Sequence, residues 1–412
     1  MRAPPAVRLS IPLSPTISPM PIHNPGDCAM KTASNKSLKN LVAAAAALLL
    51  AAPALADVNV GVSISLTGAG SGLGIPEGNM FKLWPKTIAG EKINLIVLDD
   101  ATDPGKAVVN ARRFVTEDKV DVIIGSSVTP TTAAIAPIAA ENKTTQITLA
   151  PVGVPADQVH WVFRLPQSFA VMSYPLVQHM KKHGVKTVGF FGYTDGYGEL
   201  WLKDFSALAE KEGLKVTISE RFARNDASAT PQALKLVAAN PDAILIAASG
   251  SAAAMPHKAL IERGYKGKIY QTHGAATPDL VRIGGKDVEG SFLVSGPAVM
   301  AEQLPDNHPS KAAATDFVTT FEKAYGPGTR NQFAGHAYDA RLVLEKTLPV
   351  ALKKAKPGTV EFRSALRDAI ESMGRTVVAH GVMNWTAEDH GGYTNETGVM
   401  LKVENGKFIV EK

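Results

Sequence analysis

Residues 93–125 read "INLIVLDDATDPGKAVVNARRFVTEDKVDVIIG". An apolar run at 93–99 gives way to a polar turn, then to a segment of different period, then to a second apolar run at 120–125. Within "PGKAVVNARRFVTEDK" (104–119), Ala107, Val108, Ala111 and Phe114 fall on one face of a helix. Strand, helix and strand in so short a stretch make a crossover unit, and crossover units build parallel sheets.

The same alternation extends in both directions. Further strands are expected at 58–66, 145–150, 187–193, 215–222, 243–249, 268–272 and 291–296. In "LWLKDFSALAEKEG" (200–213), Leu200, Phe205, Leu208 and Ala209 form another helical face that stops at a glycine. Nine or more strands over residues 57–412 exceed one sheet and imply two. The expected fold class is α/β with two lobes, each a wound, mostly parallel sheet flanked by helices. "FRLPQS" (163–168) and "SGPAVM" (295–300) read as joints, and long helical segments follow at 309–325, 332–355 and 360–373. The expected division is 57–168 plus 299–378 against 169–298 plus 379–412. The chain closes on "GVMLKVENGKFIVEK" (398–412), where Asn405-Gly406 signals a two-residue hairpin turn.

The first 56 residues read differently. From Met30, "MKTASNKSLKNLVAAAAALLLAAPALA" places Lys31, Lys36 and Lys39 before an apolar stretch, then small residues at 54 and 56. This is a secretory signal peptide, with cleavage expected between Ala56 and Asp57 and a periplasmic destination. The stretch is shorter than the ~18–20 residues that span a membrane. Residues 1–29 are read as an upstream extension, with Met30 as the true start. The only cysteine, Cys28, lies in this region, so the exported chain carries no disulfide, catalytic thiol or thiolate metal site.

Charge excludes a further class. The chain carries +5, but residues 1–56 hold five basic residues against Asp27, leaving the remainder near neutral. No nucleic-acid partner is implied. There is no H-E-x-x-H, no G-x-S-x-G and no metal spacing among the ten histidines. The chain is read as a non-enzyme without catalytic residues, metal or cofactor.

The chemistry gathers at strand ends, where open parallel sheets hold ligands. "LTGAGSGLG" (66–74) lacks the spacing of a dinucleotide fingerprint, although Asp99 and Asp100 end the next strand. It reads as a flexible loop. "GSSVTPTTAAIAPIAAENK" (125–143) brings Ser126, Ser127, Thr129, Thr131 and Thr132 to a helix start, with Thr129 as the cap and Pro130 first inside it, a setting for a carboxylate. "GYTDGYGEL" (192–200) offers Tyr197 and "IYQTHGAATPDL" (269–280) offers His273, each at a strand-to-helix junction.

Together with "FRLPQS" and "GGKDVEG" (284–290), these segments resemble the periplasmic solute-binding proteins of branched-chain amino acid ABC transporters, the leucine-binding type, over residues 57–412. The resemblance implies a type I two-lobed clamp, monomeric, that delivers a small ligand to inner-membrane permease subunits. It implies a ligand site of Leu73, Ser127, Thr129, Thr131, Phe169, Tyr197, Ser249 and His273, with the three hydroxyls gripping a carboxylate. Amino-acid binders of the family hold the ammonium with two acids, and at those two places this chain has Phe169 and His273. A buried ammonium without an acid is strongly disfavoured. The resemblance therefore favours a subgroup that binds aromatic acids, including aryl 2-oxo acids. The alternatives are a branched-chain amino acid receptor using Asp195 or Glu77, a ligand sensor, or a secreted enzyme on the same scaffold.

Overall fold

The computed structural model describes residues 57–411. The expected extension, signal peptide and cleavage junction at 1–56 lie outside the described residues. A six-stranded sheet has the order β2-β3-β1-β4-β5-β6. Its strands are β1 (Val58–Ile64), β2 (Thr87–Ile88), β3 (Glu91–Asp99), β4 (Val122–Gly125), β5 (Thr145–Thr148) and β6 (Val162–Arg164). All pair in parallel except β2 with β3. Helices α1 (Ser71–Lys82), α2 (Pro104–Thr116) and α3 (Thr129–Glu141) connect them. Central β1 buries Val58, Val60, Val62 and Ile64 completely, as a parallel strand covered on both faces must. The stripe read on α2 is the buried one: Ala107, Ala111 and Phe114 pack with Ile123 and Ile135, and Val108 lies at the edge of that cluster.

The chain then passes to a second sheet through residues 165–168. Helix α4 (Phe169–Lys182) starts there, capped by Ser168, whose hydroxyl accepts the Val171 N–H. The order of this seven-stranded sheet is β15-β14-β11-β10-β9-β7-β8. It contains β7 (Thr187–Tyr193), β8 (Lys215–Phe222), β9 (Ala243–Ala247), β10 (Lys268–Gln271) and β11 (Phe292–Ser295), linked by α5 (Gly196–Lys211), α6 (Thr230–Ala239), α7 (Ala254–Glu262) and α8 (Pro278–Gly284). Helices α9 (Lys311–Tyr325), α10 (Gln332–Leu352) and α11 (Val360–Glu371) return to the first sheet, where α10 packs on α1 and β2 and α11 on β5. A short hairpin, β12 (Thr376–Val378) and β13 (Gly381–Met383), precedes the last crossing. The expected division after residue 378 cuts through that hairpin. Antiparallel β14 (Val399–Glu404) and β15 (Lys407–Val410) finish the second sheet. Asn405 and Gly406, at φ of 53° and 69°, make the turn between them as the sequence signals.

The glycine loop is a correction. Only 65–70 is irregular, and α1 begins at Ser71, so Leu73 sits in a helical first turn and not in a flexible loop. The glycines answer to packing within the protein. A Cβ on Gly74 would lie 2.2 Å from the Ser65 carbonyl oxygen, and Gly68 turns the chain at φ 79°. Gly72 brings α1 close to Ser251 of the second lobe. Asp99 and Asp100 serve the same junction. Asp99 accepts from the Thr67 N–H and hydroxyl, and buried Asp100 accepts from the hydroxyls of Ser63, Ser65 and Ser126.

Candidate functional site

The carboxyl ends of both sheets face one cavity with about 300 Å³ of empty volume. From the first sheet come Leu73 after β1, Ser127, Val128 and Thr129 after β4, and Leu149, Ala150 and Pro151 after β5. The second sheet supplies Tyr197 after β7, Arg224 after β8, Ser249 after β9, and His273 and Gly274 after β10. The first turn of α10 adds Gln332, Phe333 and His336. This is the edge at which wound sheets hold ligands.

Six of the eight expected residues line this cavity: Leu73, Ser127, Thr129, Tyr197, Ser249 and His273. Two do not. Thr131 lies behind the wall, hydrogen-bonded to Ser126 Oγ at 2.8 Å and to the Val128 carbonyl at 3.0 Å. Phe169 is buried one ring further back, edge-on to Tyr197 and Trp201 with centroids 5.7 Å from each. The cap of α3 is Val128, not Thr129, because the Thr129 hydroxyl is drawn away to the Pro151 carbonyl at 2.8 Å.

The expected grip by three hydroxyls therefore changes form. Thr129 and Thr131 direct their protons at partners inside the first lobe. Ser127 Oγ accepts the Ser65 N–H at 2.9 Å and lies 2.5 Å from Glu77 Oε2. Burial, reinforced by Asp100, pushes the Glu77 carboxyl well above its usual range against the pull of that hydrogen bond. Ser127 donates its proton to Glu77 and accepts from Ser65, so its hydroxyl is engaged within the first lobe as those of Thr129 and Thr131 are. The first turn of α3 adds N–H groups without intrahelical partners and no side-chain cap, which favours an anion.

The strongest anion-binding group was not expected. Arg224 stands two residues past β8, with 12% of its side chain exposed. Its Nε lies 2.5 Å from Asp195 Oδ2 and its Nη1 bonds Ser249 Oγ at 3.0 Å. Its Cζ sits 4.0 Å over the centroid of the Tyr193 ring. Asp195 is fixed in turn as the cap of α5, accepting from the N–H groups of Tyr197 and Gly198. These bonds use two of the guanidinium's five donors. Arg224 follows the strand expected at 215–222 and so satisfies the strand-end criterion that selects His273.

A second polar group lies on α10 and β10. His273 Nδ1, both ring nitrogens of His336 and Gln332 Nε2 are buried without a partner among the described residues. Burial, with His380 adding to it, lowers His273 to about 3 and His336 well below the usual histidine range, so both are neutral. His336 packs on His380, centroids 4.1 Å apart, and His380 Nδ1 lies 2.8 Å from Asp339 Oδ2. Tyr197 bonds Thr272 Oγ1 at 2.9 Å, and burial holds its hydroxyl up near 12. Opposite stands an apolar trio of Leu73, Val128 and Phe333.

The family model for periplasmic binding proteins matches residues 57–407. No curated protein matches the chain in sequence. Among solved structures, an extracellular ligand-binding receptor from Rhodopseudomonas palustris is 50% identical, with a TM-score of 0.85 over 86% of this chain and 99% of that one. A leucine-binding protein from Thermotoga maritima is 25% identical, with a TM-score of 0.74 over 86% and 98%. A solute-binding protein of an R. palustris ABC transporter, solved with benzoate, shares the fold at 19% identity, with a TM-score of 0.73 over 86% and 95%. With a family match over most of its length and a half-identical receptor along its whole fold, the chain belongs to the periplasmic binding protein family.

Proposed function

We propose that the chain is the substrate-binding component of an ABC importer, and that it holds a small aromatic carboxylate, an aryl 2-oxo acid above all, between its two sheets. The observation that carries this reading is the charge inventory of the cavity. Arg224 is a cation on its wall, and the acids nearby are already committed: Asp195 to Arg224 and Glu77 to Ser127. An ammonium would meet no free carboxylate there, and its burial would go uncompensated. A carboxylate would meet Arg224 and the start of α3. The Gln332 amide N–H and the single N–H of the neutral His336 ring, both unpartnered, call for an acceptor from outside the chain, which a 2-oxo group supplies. Leu73, Val128 and Phe333 suit a ring.

Binding and delivery fit the site better than turnover. The cavity hydroxyls of Thr129, Tyr197 and Ser249 bond a carbonyl, a threonine and an arginine, none of which is a base, and Ser127 alone lies against a carboxyl, that of buried Glu77. Delivery would be to two membrane permease subunits from the periplasm.

A thermal-shift panel on refolded residues 57–412, free of carried-over ligand, tests the reading. Benzoate, phenylpyruvate, benzoylformate and 4-hydroxycinnamate are set against leucine, isoleucine, valine and phenylalanine. Aromatic acids are expected to raise the melting temperature. A ligand at ~100 times its Kd adds about 2.7 kcal/mol of stability. A shift with leucine and none with the acids would reject the proposal and make this an amino-acid receptor.

A further inference from the structure

Helix α4 carries two histidines one turn apart, His179 and His183, a metal-ligand spacing contrary to the expectation that the histidines show none, and neither lines the ligand cavity. Their rings stack with centroids 4.0 Å apart. Hydrogen bonds set which nitrogens face outward. His183 Nδ1 lies 2.9 Å from the His179 carbonyl oxygen. A carbonyl only accepts, so Nδ1 carries the proton and Nε2 keeps its lone pair. His179 Nδ1 bonds the Tyr270 hydroxyl at 3.0 Å. Its Nε2 is buried and without a hydrogen-bond partner among the described residues. Glu411 Oε1 lies 3.9 Å from that nitrogen, too far for a hydrogen bond. One donor atom from each of His179, His183 and Glu411 lies within 4.8 Å of the other two.

We propose that His179, His183 and Glu411 bind one divalent transition-metal ion, zinc in the first place. Two imidazoles and a carboxylate are a zinc donor set that leaves a fourth position for water. Imidazole ligands favour zinc, copper and nickel over calcium and magnesium. Ligating histidines normally bond their second nitrogen to a carbonyl or another polar group, which fixes ring and tautomer, and both histidines here do so. Glu411, although next to the chain end, is anchored: its N–H donates to the Met400 carbonyl at 2.9 Å. Zinc bonds of ~2.1 Å place tetrahedral ligands about 3.4 Å apart. The three atoms therefore close by roughly 1 Å, which the half-buried side chains of His183 and Glu411 can supply.

A plain His179–Glu411 ion pair does not account for the arrangement. The 3.9 Å gap between them is longer than a hydrogen bond, and such a pair leaves His183 outside it. A metal ion gives both the nitrogen and the carboxylate a partner. The bound ion would clip the end of the chain to α4.

The test uses untagged residues 57–412, which hold the whole described fold, stripped with a chelator. Zn²⁺ is titrated calorimetrically, with Co²⁺ as the spectroscopic probe. One ion per chain is expected, with a tetrahedral Co²⁺ absorption band and a melting temperature raised by Zn²⁺. His183→Ala and Glu411→Gln touch partly exposed side chains. Each is expected to weaken Zn²⁺ by about tenfold or more and to keep the metal-free melting temperature. Absence of saturable Zn²⁺ binding at millimolar concentration would overturn the site. Unchanged affinity in both variants would also overturn it, because the ion would then sit on other side chains.

Discussion

Replacing Arg224 with methionine is expected to weaken an aromatic carboxylate by about 100-fold while leaving the fold in place. Truncating one partner of a buried, hydrogen-bonded charge pair costs ~2–5 kcal/mol in binding, and 1.4 kcal/mol is a factor of ten. Arg224 meets those conditions: it lines the cavity, is largely shielded, and is held at two points by Asp195 and Ser249. The substitution also strands Asp195, which caps α5, and that alone could lower stability. Asp195→Asn keeps an oxygen for the cap and removes the stranded charge. The pair Arg224→Met with Asp195→Asn should therefore regain stability and still fail to bind. Arg224→Lys should bind with intermediate affinity, since it restores the charge without the planar fork. Calorimetric titration with benzoylformate measures all three. Wild-type affinity in the double variant would place the carboxylate elsewhere in the cavity.

Mild acid is expected to unfold the protein steeply. Burial, first among the causes in each case, holds four histidines neutral in the folded state: His179 and His257 fall to about 4, His273 to about 3, and His336 well below its usual range. In the unfolded chain each titrates near ~6.5. Between those values the unfolded chain binds more protons, so the stability these groups contribute is complete above pH ~6.5 and is lost as pH falls. Two buried carboxyls oppose the trend. Asp121 is raised to about 6 and Glu77 well above its usual value, so both stay protonated in the folded state where the unfolded chain has released them. Four histidines against two carboxyls leave a net uptake of about two protons on unfolding near pH 5, a slope of ~2–3 kcal/mol per pH unit. Urea unfolding at about pH 7.5, 6 and 5 measures it. A flat profile across that range would show that these histidines accept protons without unfolding. Asp121→Asn, which removes one opposing group, should make the slope steeper.

Most of the scaffold is legible because its signals are local. β7 and β8 keep the expected limits, and β3, β4, β9 and β10 differ by a residue or two at their ends. Strand-end position alone brings Tyr197, Ser249 and His273 to the cavity. What stays hidden depends on neighbours distant in sequence. Arg224 gains its role from Asp195 and Ser249, 29 and 25 residues away. His336 and Phe333 lie on a helix that the sequence places correctly but cannot aim, because only the return of α10 to α1 turns its first residues toward the cavity. Phe169 shows the converse. Its position in the chain suggests contact with ligand, and its packing against Tyr197 and Trp201 puts it behind the wall. The glycines of 66–74 suggest room for a ligand, while the space around Gly68 and Gly74 is already filled by the chain itself.

The interleaving of the lobes has a consequence for the order in which the molecule can form. The six strands of the first sheet are all complete by residue 164, yet the surface of α1 that buries Met80 and Phe81 is covered by α10, which begins at residue 332. Trp84 Nε1 donates to the Ala337 carbonyl at 3.1 Å, and the Tyr325 hydroxyl donates to the Asn79 carbonyl at 3.0 Å. The lobe that starts first therefore cannot finish until most of the polypeptide has been made, whereas all but two strands of the other lobe lie between those dates. Vectorial folding from the amino terminus is denied a stable stopping point. A chain built in this way closes one face of its first sheet within residues 96–139 and keeps the other open until α10 has been made.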